Sequence, residues 1–197
     1  MTITNGYCTL AEVRARLELE ATSTSNNSII EANIEAVSRW IDHYCGRKFY
    51  ANTDAHYYTA EYTDVLFVGD DIISIDTMGT DSDGDRTYET TWTSDDYDLM
   101  PYNAAIDGWP YSWIETTPNG DYAFPKVKKG VKIEGTFGWT SAPDAVNEAC
   151  IIQATRIYKR KDSPLGIAGV SEFGNIQMVS EMDADVKALL EPYRRQV

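Results

Sequence analysis

Residues 81–85 have the composition of a metal-binding loop. Carboxylates alternate with small residues in the order Asp, Ser, Asp, Gly, Asp, and alternate carboxylates can surround one calcium ion. An EF-hand loop also needs glycine at its sixth position and a bidentate glutamate at its twelfth, where this chain has Arg86 and Trp92. The sequence therefore predicts a hairpin turn at residues 81–85 and no required metal ion.

The other candidates for catalytic groups are two histidines and two pairs of adjacent acids. His43 and His56 are separate, and neither has a cysteine or a carboxylate at the spacing of zinc ligands. Adjacent acids at residues 70–71 and 95–96 could serve as the paired acids of a hydrolase, but nothing in the sequence positions them. The sequence contains no nucleophile motif, phosphate-binding loop or dinucleotide fingerprint. We expect no enzymatic activity and no cofactor.

The negative charge is concentrated in one stretch of the chain. Residues 51–121 contain 16 acidic residues and one basic residue, Arg86, so their net charge is −15. The rest of the chain has 16 basic and 15 acidic residues, a net charge of +1. Most of these carboxylates are expected to form a solvated surface. Their segregation nevertheless predicts two modules.

The overall composition is that of a folded protein. The chain has 197 residues, 43% of them hydrophobic, which is enough for one sizeable core or two small ones. It has no apolar run of about 18 residues and no signal peptide, so we expect synthesis in a cytoplasm and no membrane contact. Cys8, Cys45 and Cys150 follow no metal or redox spacing and are expected to be buried thiols.

Helix-start patterns predict four helices. The third of these helices has apolar residues on two sides, which predicts packing against two surfaces. A side chain that accepts a hydrogen bond from the first turn is expected at each helix start. The predicted caps are Thr9 with Glu12, Ser28 with Glu31, Ser141 with Asp144, and Asp183.

Between the second and third helices the pattern changes to short strands and turns. These strands are rich in β-branched and aromatic residues, and they are predicted at residues 56–62, 65–68, 72–77, 88–93, 97–100 and 111–115. Residues 131–139 alternate as a strand with one covered face. The predicted fold class is α+β, a small bundle of about four helices with an antiparallel β domain inserted between helices two and three. We expect a helical core at residues 1–50 and 126–197, ending in an arm and a tail, and an acidic β-rich insert at residues 51–125.

Several segments resemble one family in their order along the chain. They are YCTLAEV at residues 7–13, IDHYCGRKF at 41–49, GTFGW at 135–139 followed by PDAV at 143–146, and LLEPYRR at 189–195. Together they resemble the head-to-tail connector (adaptor, head-completion) proteins of long-tailed double-stranded DNA bacteriophages. The acidic insert is larger than in the smallest members of that family.

The resemblance implies a structural virion protein at the head–tail interface, assembled in the cytoplasm of a bacterial host. Copies of the protein, twelve by expectation, would form a homo-oligomeric ring beneath the portal protein. The ring would extend the DNA channel, through which genomic DNA passes without sequence-specific binding. It would also offer a platform to a tail-side stopper or tail-completion protein.

Three groups of residues are expected to make these contacts. The apolar surface of the third helix and an apolar arm at residues 165–179 are expected to meet neighbouring subunits, since a linker would not need apolar groups. The aromatic side of the insert is expected to face outwards or towards the tail. The assignments are Leu189, Leu190, Tyr193, Arg194 and Arg195 for the portal; Leu165, Ile167, Val170, Phe173, Ile176 and Met178 for the inter-subunit arm; and Trp109, Tyr111 and Trp113 for the tail side.

Two alternative functions remain open at this point. One is a β domain that binds calcium or carbohydrate through the residue 81–85 loop and the aromatic residues Trp92, Trp109, Tyr111 and Trp113. The other is a DNA-binding protein, although a chain with a net charge of −14 would repel a duplex. Its basic residues would be Lys126, Lys128, Lys129, Lys132, Arg156, Lys159, Arg160 and Lys161.

Overall fold

The computed structural model describes residues 3–20, 22–162, 167–170, 176–178 and 182–195. The chain forms two compact units. The helical unit comprises Met1–Arg47 and Ala142–Val197, and the β unit comprises Lys48–Ser141. Within the described residues there are four α-helices, and an antiparallel sheet of six strands is inserted between the second and the third. The predicted α+β class and the place of the inserted sheet are confirmed.

The helical unit is organised around its third helix. The helices are α1 (Leu10–Arg16), α2 (Asn27–Cys45), α3 (Asp144–Lys159) and α4 (Ala184–Leu190). α3 contacts each of the other three, and its buried side chains lie on more than one face. The predicted packing of α3 on two sides is therefore satisfied by helices of the same unit. Much of its apolar surface is therefore covered within the chain.

Two of the four predicted helix caps are confirmed. Thr9 and Glu12 form a reciprocal capping box at the start of α1. The Asp183 carboxylate accepts a hydrogen bond from the Asp185 N–H at 3.0 Å, and it also accepts one from Arg156 of α3 at 2.7 Å. Asp183 therefore both caps α4 and joins it to α3.

The other two predicted caps are wrong. α2 begins at Asn27, so Ser28 already lies within the first turn, and the capping position is occupied by Asn26 without a side-chain hydrogen bond. α3 begins at Asp144 behind Pro143, which has no side-chain donor or acceptor. The packing of α2 and α3 in the unit compensates for these absent caps, since tertiary contacts supply most of the stability of helices in proteins.

The chain after α4 folds back onto the end of α2. A short 3₁₀ turn spans Glu191–Tyr193, and the Arg195 N–H donates to the carbonyl oxygen of Cys45 at 2.8 Å. The guanidinium of Arg194 lies 5.1 Å from the centre of the Tyr44 ring. The basic tail is thus attached to the helical unit.

The three cysteines are buried and free, as predicted. The Sγ atoms of Cys8 and Cys150 lie 3.1 Å apart and join the segment before α1 to α3. The hydrogen bond with Cys150 and burial both raise the pKa of Cys8. Burial raises the pKa of Cys45 to about 12. Thiolates are therefore disfavoured at Cys8 and Cys45, and these two cysteines serve as small core residues.

All strands of the main sheet pair antiparallel. Their order is β1-β6-β2-β5-β4, and β3 pairs with the end of β2. The sequence-based boundary at residue 126 grouped β6 with the helices, whereas β6 lies inside this sheet between β1 and β2. The strands are β1 (Asn52–Tyr58), β2 (Val65–Thr80), β3 (Thr90–Trp92), β4 (Tyr97–Met100), β5 (Tyr111–Thr116) and β6 (Val131–Phe137).

β2 is one long strand where the sequence predicted two. Its first part pairs with β5, its second part pairs with β6 and β3, and the register shifts between Phe67 and Ile72. The polar segment around Gly69 that suggested a break is a bulge inside the strand. Across this bulge, the single strand β2 pairs with β5 near its start and with β6 and β3 nearer its end.

Two glycines allow close backbone approach in the β unit. A Cβ atom at Gly135 would collide with the carbonyl oxygen of Ser74 on β2, which explains the glycine that interrupts the apolar alternation of β6. Gly138 has a φ of +96°, and a Cβ atom there would collide with the carbonyl oxygen of Tyr50. Both positions therefore exclude larger residues.

The core of the β unit lies on one face of the sheet. Trp92 stacks on Phe124 with ring centres 4.7 Å apart, and its Nε1–H donates to the Thr80 hydroxyl at 3.1 Å. The buried apolar residues of this core are Ala60, Leu66, Val68, Ile72, Met78, Trp92, Ile114, Phe124, Val131, Ile133 and Phe137.

Two short strands of the arm form a small sheet. Its strands β7 (Ile167–Val170) and β8 (Ile176–Met178) pair antiparallel in a separate two-stranded sheet. Leu165 and Phe173, which the sequence also assigned to inter-subunit contact, lie outside the described residues.

Candidate functional site

The acidic loop at residues 81–85 is a hydrogen-bonded turn between β2 and β3. The Asp81 carboxylate accepts hydrogen bonds from the N–H groups of Gly84 at 2.7 Å and Arg86 at 2.9 Å. Burial opposes ionisation of Asp81, but these hydrogen bonds outweigh it and lower the pKa of the carboxyl. Carboxylate oxygens of Asp81, Asp83 and Asp85 lie within 4.8 Å of one another. The predicted hairpin turn is confirmed, and the buried member of the cluster is used to close it.

Neither pair of adjacent acids forms a catalytic pair. Asp70 Oδ2 lies 2.9 Å from His56 Nδ1 and accepts from the Tyr58 hydroxyl at 2.9 Å. Asp71 is buried and instead accepts from Trp139 Nε1–H at 3.0 Å. The two carboxylates are therefore committed to different partners.

Asp96 has a structural role in a turn. Its carboxylate accepts from the Thr93 N–H at 2.7 Å, the Thr93 hydroxyl at 2.8 Å and the Asp121 N–H at 3.2 Å. The hydrogen bonds from Thr93 hold the pKa of Asp96 below its usual value. Asp95, its neighbour, is exposed. An acid held ionised in this way is suited to bracing a turn.

The three residues predicted to face the tail lie in one part of the β unit. Trp109 is 38% exposed and packs edge-on against Trp139 with ring centres 5.1 Å apart. Tyr111 is half-buried beside the sheet core. Trp113 is also half-buried, and its Nε1–H donates to Glu115 at 2.8 Å.

Phe67 and Tyr62, which the sequence did not assign to the tail side, extend this aromatic surface. In the sheet register Trp113 lies opposite Phe67 of β2 on one side and Met100 of β4 on the other. Phe67 is 64% exposed and contacts Tyr62 edge-to-face. The alternation of β2 could have identified Phe67, because it lies between the inward-facing Leu66 and Val68.

A small cavity adjoins these residues. It has a volume of about 130 Å³, and Trp109, Trp139, Tyr111, Ile72 and Pro110 supply most of its large side chains. We call it the aromatic pocket. The sequence pattern did not reveal it, because Trp139 and Trp109 are 30 residues apart in the chain and meet only through the fold.

Exposed apolar side chains are unevenly distributed. Among the described residues, seven of the eight exposed large hydrophobic side chains belong to the β unit, and Ile29 is the exception. The uneven distribution makes the β unit the better candidate for contacts with other proteins. The seven are Tyr57, Tyr62, Phe67, Tyr102, Ile106, Trp109 and Tyr122.

The residues assigned to portal docking differ in exposure. Leu190 is fully buried and belongs to the core of the helical unit, so its side chain is not presented at the surface. Leu189, Tyr193 and Arg195 are half-buried, and Arg194 is exposed. Arg194 also pairs with Glu191 at 3.3 Å. The side chains of these four residues are at least partly exposed, whereas Leu190 stabilises the helix that carries them.

The structure weakens the carbohydrate-binding and DNA-binding alternatives. Trp92, which carbohydrate binding would need at the surface, is 4% exposed and part of the core. Lys132 pairs with Glu134 at 2.6 Å, and Arg156 pairs with Asp183 at 2.7 Å. Two members of the basic set are therefore neutralised by neighbours, which reduces the field available to attract DNA.

No protein-family model and no curated protein sequence matches the chain. None of the helices in the described ranges is long and apolar enough to cross a membrane.

Solved structures do share the fold. The chain matches one in the neck of an empty GTA particle computed with C6 symmetry, with a TM-score of 0.61, 19% identity and coverage of 100% of this chain and 94% of that chain. It also matches a chain in the virion of a native gene transfer agent (GTA) particle, with a TM-score of 0.59, 17% identity and the same coverages. The protein therefore has the fold of chains found in the neck and virion of gene transfer agent particles.

Proposed function

We propose that the protein is a structural, non-enzymatic neck component of a virion. It forms a ring between the capsid portal and the tail, extends the DNA channel and provides a docking platform for tail-side proteins. The observation that carries this proposal is the likeness to the neck chain, which extends over the full length of this chain and so includes the inserted sheet as well as the helices. The connector-like sequence segments at both ends of the chain support it independently.

The proposed ring contains twelve copies. A twelve-fold ring also has six-fold symmetry, so it is compatible with the C6 symmetry of the neck to which the chain is similar. Subunits in a cyclic ring meet through two different surfaces, one on each side. Because α3 is covered within the helical unit, we assign one of these surfaces to the arm that carries β7 and β8.

The tail after α4 is assigned to the portal. Leu189, Tyr193 and Arg195 are half-buried, and Arg194 is exposed, so all four can contact a partner without unfolding the helical unit. The fold of the tail is held by the hydrogen bond from the Arg195 main-chain N–H to Cys45. A side-chain substitution at residue 195 leaves that main-chain bond in place.

DNA is proposed to pass through the ring without sequence-specific binding. The chain has a net charge of −14, and the repetition of this charge around a ring would repel phosphate groups rather than hold them. The acidic β unit is placed on the outer or tail-facing side, where its carboxylates remain solvated and its aromatic residues meet a protein. The neck protein would be incorporated into particles assembled in the cytoplasm of a bacterial host.

The portal assignment can be tested by co-expression with the portal protein of the same virus. We expect the isolated protein to be monomeric or loosely associated, and to form a ring of twelve copies on the portal in electron micrographs. Replacing Tyr193 and Arg195 together with alanine should leave the circular dichroism spectrum unchanged but abolish co-purification with the portal. Lys187→Ala, an exposed change on α4, should behave like the wild type.

Each outcome bears on a different part of the proposal. A wild-type protein that is absent from DNA-filled heads and does not bind the portal would overturn the function. A double variant that binds the portal normally would overturn only the docking assignment.

A further inference from the structure

The aromatic pocket has the size of one side chain. Its volume is about 130 Å³, close to that of an engineered apolar cavity of about 150 Å³ that binds benzene. The rings of Trp109, Tyr111 and Trp139 line it together with Ile72 and Pro110. A phenyl ring or a branched aliphatic group therefore has the right size to occupy it.

The walls of the pocket are held in place by hydrogen bonds. Trp139 Nε1–H donates to the Asp71 carboxylate at 3.0 Å, and the Gly138 N–H donates to the Asp71 carbonyl oxygen at 2.8 Å. On the opposite wall, the Trp109 N–H donates to the carbonyl oxygen of Ala104 at 2.8 Å. A pocket whose walls are already ordered loses little conformational entropy when it binds a ligand.

Exposed apolar groups lie on the loop that forms part of the pocket. Residues 101–110 join β4 to β5 and are folded by hydrogen bonds within the loop. Ile106 is 84% exposed and Tyr102 is 63% exposed. Contact sites between proteins commonly have a central pocket with exposed apolar groups around it.

The charges around this surface are negative. The β unit has 6 basic and 17 acidic residues, a net charge of −11. Asp107, which is exposed, immediately precedes Gly108 of the pocket wall. Asp98 and Glu115 lie directly opposite each other on β4 and β5. They accept hydrogen bonds from Tyr102 and Trp113, and a nearby cation would reduce the repulsion between the two carboxylates. A partner that fits this field carries lysine or arginine beside its apolar group.

We propose that the aromatic pocket is a socket for a single aromatic or branched aliphatic side chain from a basic segment of a tail-side protein. The apolar side chain enters the pocket that Trp109, Tyr111 and Trp139 line, and flanking lysine or arginine residues pair with the carboxylates of the β unit. This inference rests on the proposed neck function, since it specifies the chemistry of the protein that docks on the tail side.

Synthetic peptides provide the first test, with the full chain labelled for nuclear magnetic resonance. The probe is a blocked pentapeptide with phenylalanine between two pairs of lysines. We expect it to shift the indole N–H signals of Trp109 and Trp139. A peptide with alanine for phenylalanine, or with glutamates for the lysines, should bind at least about tenfold more weakly. Binding of the lysine–phenylalanine peptide should weaken as salt is added.

Two variants locate the binding to the pocket. Ala105→Leu places a larger group on an exposed residue that lines the pocket, and it should weaken binding by about tenfold or more. Ala123→Leu is the matched control, an exposed alanine of the β unit that does not line the pocket, and it should bind as the wild type does. Ile106→Asp changes an exposed side chain and provides a second pocket-side variant if Ala105→Leu fails to fold.

The outcomes separate this inference from the proposed function. We expect Ala105→Leu to form rings on the portal and to lose tail attachment. If rings of Ala105→Leu acquire tails normally, or if the phenylalanine and alanine peptides bind equally well, the proposed role of the aromatic pocket is wrong. Neither result would contradict the proposed neck function. Self-association of the wild-type protein that Ala105→Leu removes would also overturn the proposed role of the pocket, because the occupant would then be a second copy of the chain. Absence of wild-type rings on the portal would overturn the neck function itself.

Discussion

The two units of the protein differ in how completely they bury their large apolar side chains. In the helical unit the large apolar groups are collected around α3, and within the described residues only Ile29 is exposed among them. The β unit has a core of its own, yet seven large apolar side chains remain exposed on it. Another protein docked on the β unit would cover part of that surface.

The units also differ in charge. The helical unit has 11 basic and 14 acidic residues, a net charge of −3, whereas the β unit has a net charge of −11. Carboxylates in the β unit also close turns, as at Asp81 and Asp96. The comparison shows how one chain can combine a nearly neutral helical scaffold with an acidic, aromatic surface for contact.

The largest effect on stability is expected in the helical core. Ile34→Ala removes a fully buried side chain of α2 and should lower the free energy of unfolding by about 3–4 kcal/mol. Ile29→Ala, on the same helix but 43% exposed, should change it by less than about 0.5 kcal/mol. Urea denaturation followed by circular dichroism measures both. Equal losses would contradict the assignment of Ile34 to the core.

A backbone change should be nearly as costly in the β unit. Gly138→Ala introduces a Cβ atom at a φ of +96° and against Tyr50, so it should cost about 2 kcal/mol or more. Gly69→Ala is the control, because no heavy atom lies within 4 Å of the added Cβ, and it should stay within about 1 kcal/mol of the wild type. Thermal unfolding of the two variants compares them. A Gly138→Ala protein as stable as the control would show that the backbone can relax there.

A smaller, pH-dependent effect is expected at Asp96. Its pKa is lowered in the folded state by hydrogen bonds from Thr93, so it stabilises the fold above the unfolded-state pKa of about 3.9. That contribution is lost as the pH falls through the lower folded-state pKa. Asp96→Asn should therefore be less stable than the wild type at pH 7. The difference in stability between the two proteins should decrease below about pH 4.

Urea midpoints measured from pH 7 to pH 2 test this dependence. Asp95→Asn is the control, since the neighbouring side chain is exposed and its replacement should produce little change at any pH. A difference in urea midpoint between the wild type and Asp96→Asn that stays constant down to pH 2 would contradict the stabilising role of the ionised Asp96 carboxylate.

The smallest effect on stability is expected on the exposed aromatic surface. Phe67 is 64% exposed, so Phe67→Ala should change the free energy of unfolding by less than about 0.5 kcal/mol. Because Phe67 pairs with Trp113 on the predicted tail-side face, the same variant should reduce tail attachment in a complementation assay. Normal tail attachment would show that Phe67 does not belong to the tail-side contact surface. The difference between the two units in exposed contact residues would then be smaller.

Local patterns in the sequence determined much of the architecture. The capping box of Thr9 and Glu12 was readable because its two partners are only three positions apart. The bounds of β4 agree with the prediction at residues 97–100, and the charge segregation correctly pointed to an inserted module. These features depend on neighbouring residues or on composition, which the sequence displays directly.

Only the tertiary structure decided which elements meet. Alternation predicted a strand at residues 131–139 but could not show that β6 pairs with both β1 and β2. The apolar positions of α4 did not distinguish the buried Leu190 from the half-buried Leu189, since that difference depends on what lies against the helix. The aromatic pocket has the same origin, because Trp109 and Trp139 are distant in the chain and adjacent in space. Such contacts between distant residues are set by the packing of the whole unit, which no local window of sequence contains.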